Sequence, residues 1–138
     1  MNEAFILHPT LAADTTQIAH WPLCEVLLMD DSRFTWVILV PRRAGATEWF
    51  DLGAEDASVL NKETLHVARQ LKALTGATKI NIGALGNVVS QLHVHVVARI
   101  AGDAGWPGPV WGLPGRTRYT DDEARMLGEK LSALTPPG

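Results

Sequence analysis

The stretch SQLHVHVVAR, residues 90–99, carries two of the chain's five histidines, two positions apart. On a β-strand, successive side chains point to opposite faces. Leu92, Val94, Val96 and Ala98 then share one face, while Gln91, His93 and His95 share the other. Such spacing sets the imidazoles roughly 6 to 7 Å apart along a strand. Three uses fit the pair. The rings could ligate a metal. They could act as nucleophile and helper in a group transfer. They could also be satisfied polar groups at a sheet edge.

A zinc site wants further ligands and a second shell. His8 and His20 lie in an N-terminal segment without clear periodicity, and His66 sits inside a helical pattern. The sequence has no HExxH and no CxxC. A group transfer at phosphate has more around it. Asn81, Asn87 and Gln91 are amides that can donate hydrogen bonds to a phosphate oxygen. Gly83 and Gly86 allow close approach of backbone and ligand. Between residues 99 and 119, Arg99, Arg116 and Arg118 face only Asp103. That balance points to an anionic ligand, or to arginines that solvate a loop.

The elements that must position these residues are legible in the pattern. CEVLLMDD (24–31) and TWVILVPRR (35–43) read as strands joined by a hairpin-sized gap, hence as antiparallel neighbours. Residues 53–76 read as a long helix, with Leu60, Thr64, Val67, Leu71 and Leu74 on one side. Glu55 and Asp56 suit its first turn, and Gly76 suits its C-terminal end. TKINIGAL (78–85) and QLHVHVVARI (91–100) read as two more strands. Residues 120–134 read as a closing helix, with Thr120 and Glu123 as a capping box. Before it lies a Gly-, Pro- and Trp-rich loop, 101–119, too long to be a simple connection. The order β-β-α-β-β-α predicts an α+β fold, an antiparallel sheet with one face under helix.

At 138 residues the chain is expected to be a single domain, 1–138. A net charge of −3 argues against polymeric nucleic acid as a partner. The lone Cys24 cannot form an internal disulfide, which suits a reduced, cytoplasmic setting. The opening MNEAFILHPT lacks a basic flank and a long apolar core, so no signal peptide is expected. No apolar run approaches the roughly 20 residues of a membrane span, so no membrane is expected.

QLHVHVV resembles the signature of the histidine triad (HIT) superfamily, His-φ-His-φ-His-φ-φ with φ apolar. His93 matches the second histidine and His95 the third; Gln91 stands in place of the first. INIGALGNVVS is similar to the strand and turn before the triad, and VLLMDDSRFTWVILVPRR to the first hairpin, so the likeness runs from about residue 24 to 99. It implies an α+β nucleotidyl hydrolase or transferase, commonly a homodimer joined through sheet and long helix, acting on a small-molecule nucleotide without a cofactor or metal. It implies His93 as nucleophile on the α-phosphorus, His95 beside the phosphate, and Asn81, Asn87 and Gln91 as phosphate contacts. Asp30 or Asp31 is a candidate for the ribose hydroxyls, and Arg99 for the nucleotide. Trp106 or Trp111 is expected to line the site, or to cap the end of the sheet. Trp36 stands where several relatives carry a further histidine behind the nucleophile. Two alternatives remain open from the residues: a nucleotide-binding regulatory module with little turnover, and a metal-dependent hydrolase built on His93 and His95.

Overall fold

The computed structural model describes residues 4–138. Helix α1 (Pro9–Asp14) leads into strand β1 (Thr15–His20), followed by β2 (Cys24–Met29) and β3 (Thr35–Pro41). A 3-10 turn (Trp49–Asp51) precedes helix α2 (Ala54–Thr75). Strands β4 (Lys79–Gly83) and β5 (Val94–Arg99) and helix α3 (Asp121–Leu131) complete the chain. The five strands form one antiparallel sheet in the order β1-β2-β3-β5-β4. The α+β expectation therefore holds, with an additional helix and strand at the front. Segment β1 escaped the sequence pattern because it is an edge strand with no fully buried residue. A strand that fully buries none of its side chains needs no apolar alternation, so there is none to read.

Both helix ends follow from their residues. Helix α2 stops at Gly76, whose φ of 68° is left-handed and lets its N–H reach the Lys72 carbonyl. Helix α3 starts in the expected box: Thr120 Oγ1 accepts from Glu123 N at 3.1 Å, and Glu123 Oε1 accepts from Thr120 N at 2.8 Å.

The sheet has two covered faces. Val94, Val96 and Ala98 of β5 join Val37 and Leu39 of β3 against Leu60, Val67 and Leu71 of α2. A buried carboxylate locks this layer. Glu63 of α2 is fully buried and accepts from Leu23 N and Cys24 N, each at 3.0 Å. Those donors lie where the chain enters β2, so one side chain satisfies both and ties helix to sheet. Burial first, and then the Glu63 carboxylate, push the Cys24 thiol far above its ordinary range. That thiol is therefore packing, not a nucleophile.

The opposite face carries Leu27, Ile38, Val40 and Val97, with Phe34 and Trp36. It is covered by Leu11 of α1 and by Val110, Trp111 and Leu113 of the 101–119 loop. The histidines point to this second face, under the loop.

Candidate active site

Strand β5 lies inside the sheet, between β3 and β4, rather than at an edge. His95 is paired with Ile38 on β3 and with Gly83 on β4. His93 sits just before the strand begins. The ring centroids are 4.9 Å apart and nearly edge-to-face, closer than strand spacing alone would set them. Each residue is only 7% exposed.

Two hydrogen bonds fix the protons. His93 Nδ1 lies 2.6 Å from the backbone carbonyl oxygen of Gln91. A carbonyl only accepts, so Nδ1 carries a hydrogen, and in the neutral ring it is Nε2 that keeps the lone pair. His95 is held the other way. Trp36 Nε1–H donates to His95 Nδ1 at 3.0 Å, so the neutral ring carries its hydrogen on Nε2. Burial, and next the neighbouring His93, lower the His95 pKa to about 3. The pair thus offers a lone pair from one ring and a fixed N–H donor from its neighbour. Neither Nε2 has a protein partner among the described residues. The indole was expected behind the nucleophile; it stands instead behind His95.

Aromatic rings close the site. Trp111 meets His95 edge-on at 5.5 Å between centroids. Gly83 makes room for it: a Cβ there would fall 2.9 Å from the Trp111 ring. Trp106 lies instead beside the Arg99 guanidinium, 5.8 Å from its ring centre. Next to His95, a cavity of about 300 Å³ runs between Trp36, Trp111 and Leu113 on its apolar side and Asp31, Arg33 and Arg116 on its polar side.

Several expected polar contacts are engaged elsewhere. Arg99 is 1% exposed. Its Nε and one terminal nitrogen bind Asp103 at 2.8 and 2.7 Å, and the other binds Asn81 Oδ1 at 3.0 Å and the Gly108 carbonyl at 2.8 Å. A buried guanidinium must be paired, and here it braces the loop instead of facing a ligand. Arg116 reaches Asp14 at 3.1 Å, and Arg118 reaches Asp30 at 2.9 Å. The positive balance of the loop is thus cancelled by acids from other parts of the chain. Asp30 also accepts from Tyr119 N at 2.9 Å. Asp31 does line the cavity, but Arg33 holds both its oxygens, at 3.0 and 2.9 Å. Burial alone would raise the Asp31 carboxyl; the Arg33 hydrogen bonds outweigh it and hold the group below its ordinary value. Asn87 stays exposed in the turn between β4 and β5.

The HIT domain pattern matches residues 10–102, most of the chain. The chain belongs to the HIT family. Nucleotide-binding hydrolases and transferases make up this superfamily. The chain is similar to a histidine triad protein of Sinorhizobium meliloti, with 46% identity over 95% of this chain and 97% of that one, at a TM-score of 0.92. A histidine triad protein of Marinobacter aquaeolei matches at 42% identity over 96% of both chains, TM-score 0.94. One of Bradyrhizobium japonicum matches at 42% identity over 96% of this chain and 98% of its own, TM-score 0.92. The chain matches no curated protein. No helix among the described residues is long and apolar enough to cross a membrane. Among those residues, no group of three or more His, Cys, Asp or Glu converges as a metal site.

In this HIT chain the Gln91 side chain is a clamp. Its Oε1 accepts from His8 N and its Nε2 donates to the Ile6 carbonyl, each at 2.9 Å. The amide pairs with the N-terminal segment as a neighbouring strand would. Gln91→Ala is expected to cost about 1–2 kcal/mol for the lost pair, and to speed hydrogen exchange at the His8 amide selectively. Because the contact to His93 comes from the Gln91 backbone, that ring stays oriented. Unchanged exchange at His8 would contradict the clamp. Sequence reasoning also missed Trp36 as the partner of His95; its one signal was an aromatic N–H in a strand register two residues from Ile38, opposite the histidine.

Proposed function

We propose that this HIT protein is a nucleotidyl hydrolase or transferase that works through a covalent nucleotidyl–His93. The observation that carries the reading is the opposed orientation of the two rings. The Gln91 carbonyl takes the Nδ1 hydrogen of His93, while the Trp36 N–H takes the Nδ1 lone pair of His95, so the neutral pair presents a lone pair on one Nε2 and a hydrogen on the other. His93 Nε2 attacks the α-phosphorus of a nucleoside 5′-phosphate derivative. The bond to the leaving group breaks, and the leaving group takes the electron pair. Water then attacks the phosphorus, frees His93 and releases the nucleoside monophosphate. Two modest displacements replace one hard attack by water. His95 Nε2–H donates to a non-bridging oxygen, where negative charge builds up.

Gln91 occupies the place of the first triad histidine in this reading, and no proton passes through it. Its amide is occupied by the N-terminal segment, so its part is played by its backbone carbonyl. The Nδ2 of Asn81, which makes no hydrogen bond among the described residues while its Oδ1 is held by Arg99, and the amide of Asn87 are the phosphate donors. The cavity beside Trp111 takes the nucleoside, with Asp31 at its polar side. A second copy of the chain pairs along β4, a free sheet edge where Ile82 is 45% exposed. No cofactor is needed.

The test is release of adenosine monophosphate from adenosine phosphoramidate and from dinucleoside polyphosphates, with and without chelator. Release from at least one of them, unaffected by chelator, is expected. Micromolar nucleotide binding without turnover would replace this reading with a binding module. Turnover that chelator stops would favour a metal-dependent hydrolase.

A further inference from the structure

In the reactive form, with both rings neutral, each histidine holds one hydrogen, and neither can give it away. The His93 hydrogen on Nδ1 faces the Gln91 carbonyl, on the side of the ring away from Nε2. The His95 hydrogen on Nε2 can be shared but not surrendered, because its loss would leave an imidazolate. An imidazolium at His95 would need a second hydrogen on Nδ1, and the Trp36 N–H already points there at 3.0 Å. Two donors cannot face each other across a hydrogen bond. The indole itself is a donor only, so it cannot accept that hydrogen either.

Nor, among the described residues, does the surrounding wall supply an acid. His95 is enclosed by Trp36, Trp111 and His93, with Ile38 and Gly83 beside it in the sheet. Across the cavity, Asp31 is an ionised carboxylate paired with Arg33, and Arg116 is paired with Asp14 and Asp30.

We infer that Trp36 is a specificity-determining positioning residue: its N–H blocks the one ring nitrogen at which the enclosed His95 could take up a second hydrogen, fixes the other as a donor, and so limits the enzyme to leaving groups that depart as weakly basic anions. This rests on the catalytic reading above. Suitable leaving groups are polyphosphates, a second nucleotide or an acidic phenol. Alkoxides and amines, which must gain a proton as they leave, are excluded. The balance closes without an acid. His93 Nε2 forms a bond to phosphorus while the bond from phosphorus to the leaving oxygen breaks, and the oxygen leaves with the electron pair. The phosphorylated His93 ring keeps its Nδ1–H on the Gln91 carbonyl. The attacking water later loses its proton to solvent.

The experiment measures single-turnover rates on adenosine 5′-phosphate esters of phenols of graded acidity, one alkyl ester and adenosine phosphoramidate. A general acid contributes about 10²–10⁴-fold, so the alkyl ester and the phosphoramidate are expected to react slower than the nitrophenyl ester by at least that factor. Trp36→Phe removes the N–H and keeps an aromatic ring. It is expected to slow the nitrophenyl ester and to narrow the gap between ester classes by at least about tenfold. A ratio of rates is unmoved by a change in the folded fraction, so a purely structural role for Trp36 would leave it constant. If Trp36→Phe fails to fold, ¹⁵N shifts of His95 in the unsubstituted protein give a second reading, with Nδ1 bare and Nε2 protonated as expected. A protonated Nδ1, equal rates across the series, or an unchanged gap in Trp36→Phe would overturn the inference alone. Release from no ester at all would bring down the catalytic reading beneath it.

Discussion

His93→Ala releases nucleoside monophosphate at least about a thousandfold more slowly than the parent, because loss of an attacking group removes the covalent route altogether. The loss falls on kcat far more than on substrate binding. The ring is one of several groups around the phosphate, and the nucleoside cavity beside Trp111 is left intact. The fold survives the change. His93 precedes β5, its side chain's one hydrogen bond among the described residues goes to a carbonyl two residues away, and no ladder bond depends on that side chain. His95→Ala should cost less, since it removes a donor and not the bond-forming atom. A single oxyanion donor is worth about 10²–10³-fold. Steady-state rates with circular dichroism separate these effects from unfolding. Parent-like turnover in His93→Ala would end the proposed mechanism.

The second large effect is on stability. Arg99→Met is expected to destabilise the protein by about 3–5 kcal/mol, the usual result of breaking a buried charge pair. The change leaves the Asp103 carboxylate, the Asn81 carbonyl and the Gly108 carbonyl without their partner. It also unties the loop that presents Trp111, so nucleotide binding weakens together with the melting temperature. The pH dependence gives an independent check. Hydrogen bonds from Arg99 hold the Asp103 carboxyl down to about 2. A carboxyl whose folded pKa lies below its unfolded value contributes stability above the unfolded value and loses it as pH falls through the folded one. The parent should therefore lose this increment between about pH 4 and 2, and Arg99→Met should lack that part of the slope. Thermal melts of both proteins at pH 7, 4 and 2.5 would show it. Equal melting temperatures at pH 7 would show that the guanidinium is not a brace.

The Arg99 case also shows what a sequence conceals. Strand alternation separated Leu92, Val94 and Val96 from His93 and His95, and the structure keeps them on opposite faces. The 53–76 helix, its Gly76 end and the Thr120 box were legible because each depends on residues within a turn or two. Pairings across the chain were not. Gln91 meets His8 and Ile6, more than eighty positions away. Arg116 and Arg118 meet Asp14 and Asp30 from the opposite end of the sequence. A local count of charges therefore reported a positive loop that the fold neutralises. Trp36 was visible as a departure from a resembled pattern, but its N–H acquires a role only when register sets it beside His95. The strand Thr15–His20 lacked a signal because an exposed edge asks little of its side chains.

The central claim is a phosphorus–nitrogen bond at one ring. It is tested most directly by quenching the protein within its first turnover on a labelled nucleoside 5′-phosphate derivative and weighing the intact chain and its peptides. The expected result is an added nucleoside monophosphate on the peptide carrying His93, lost in acid, kept in base and absent from His93→Ala. Full release of product with no adduct at any time, or an adduct on another residue, would contradict it.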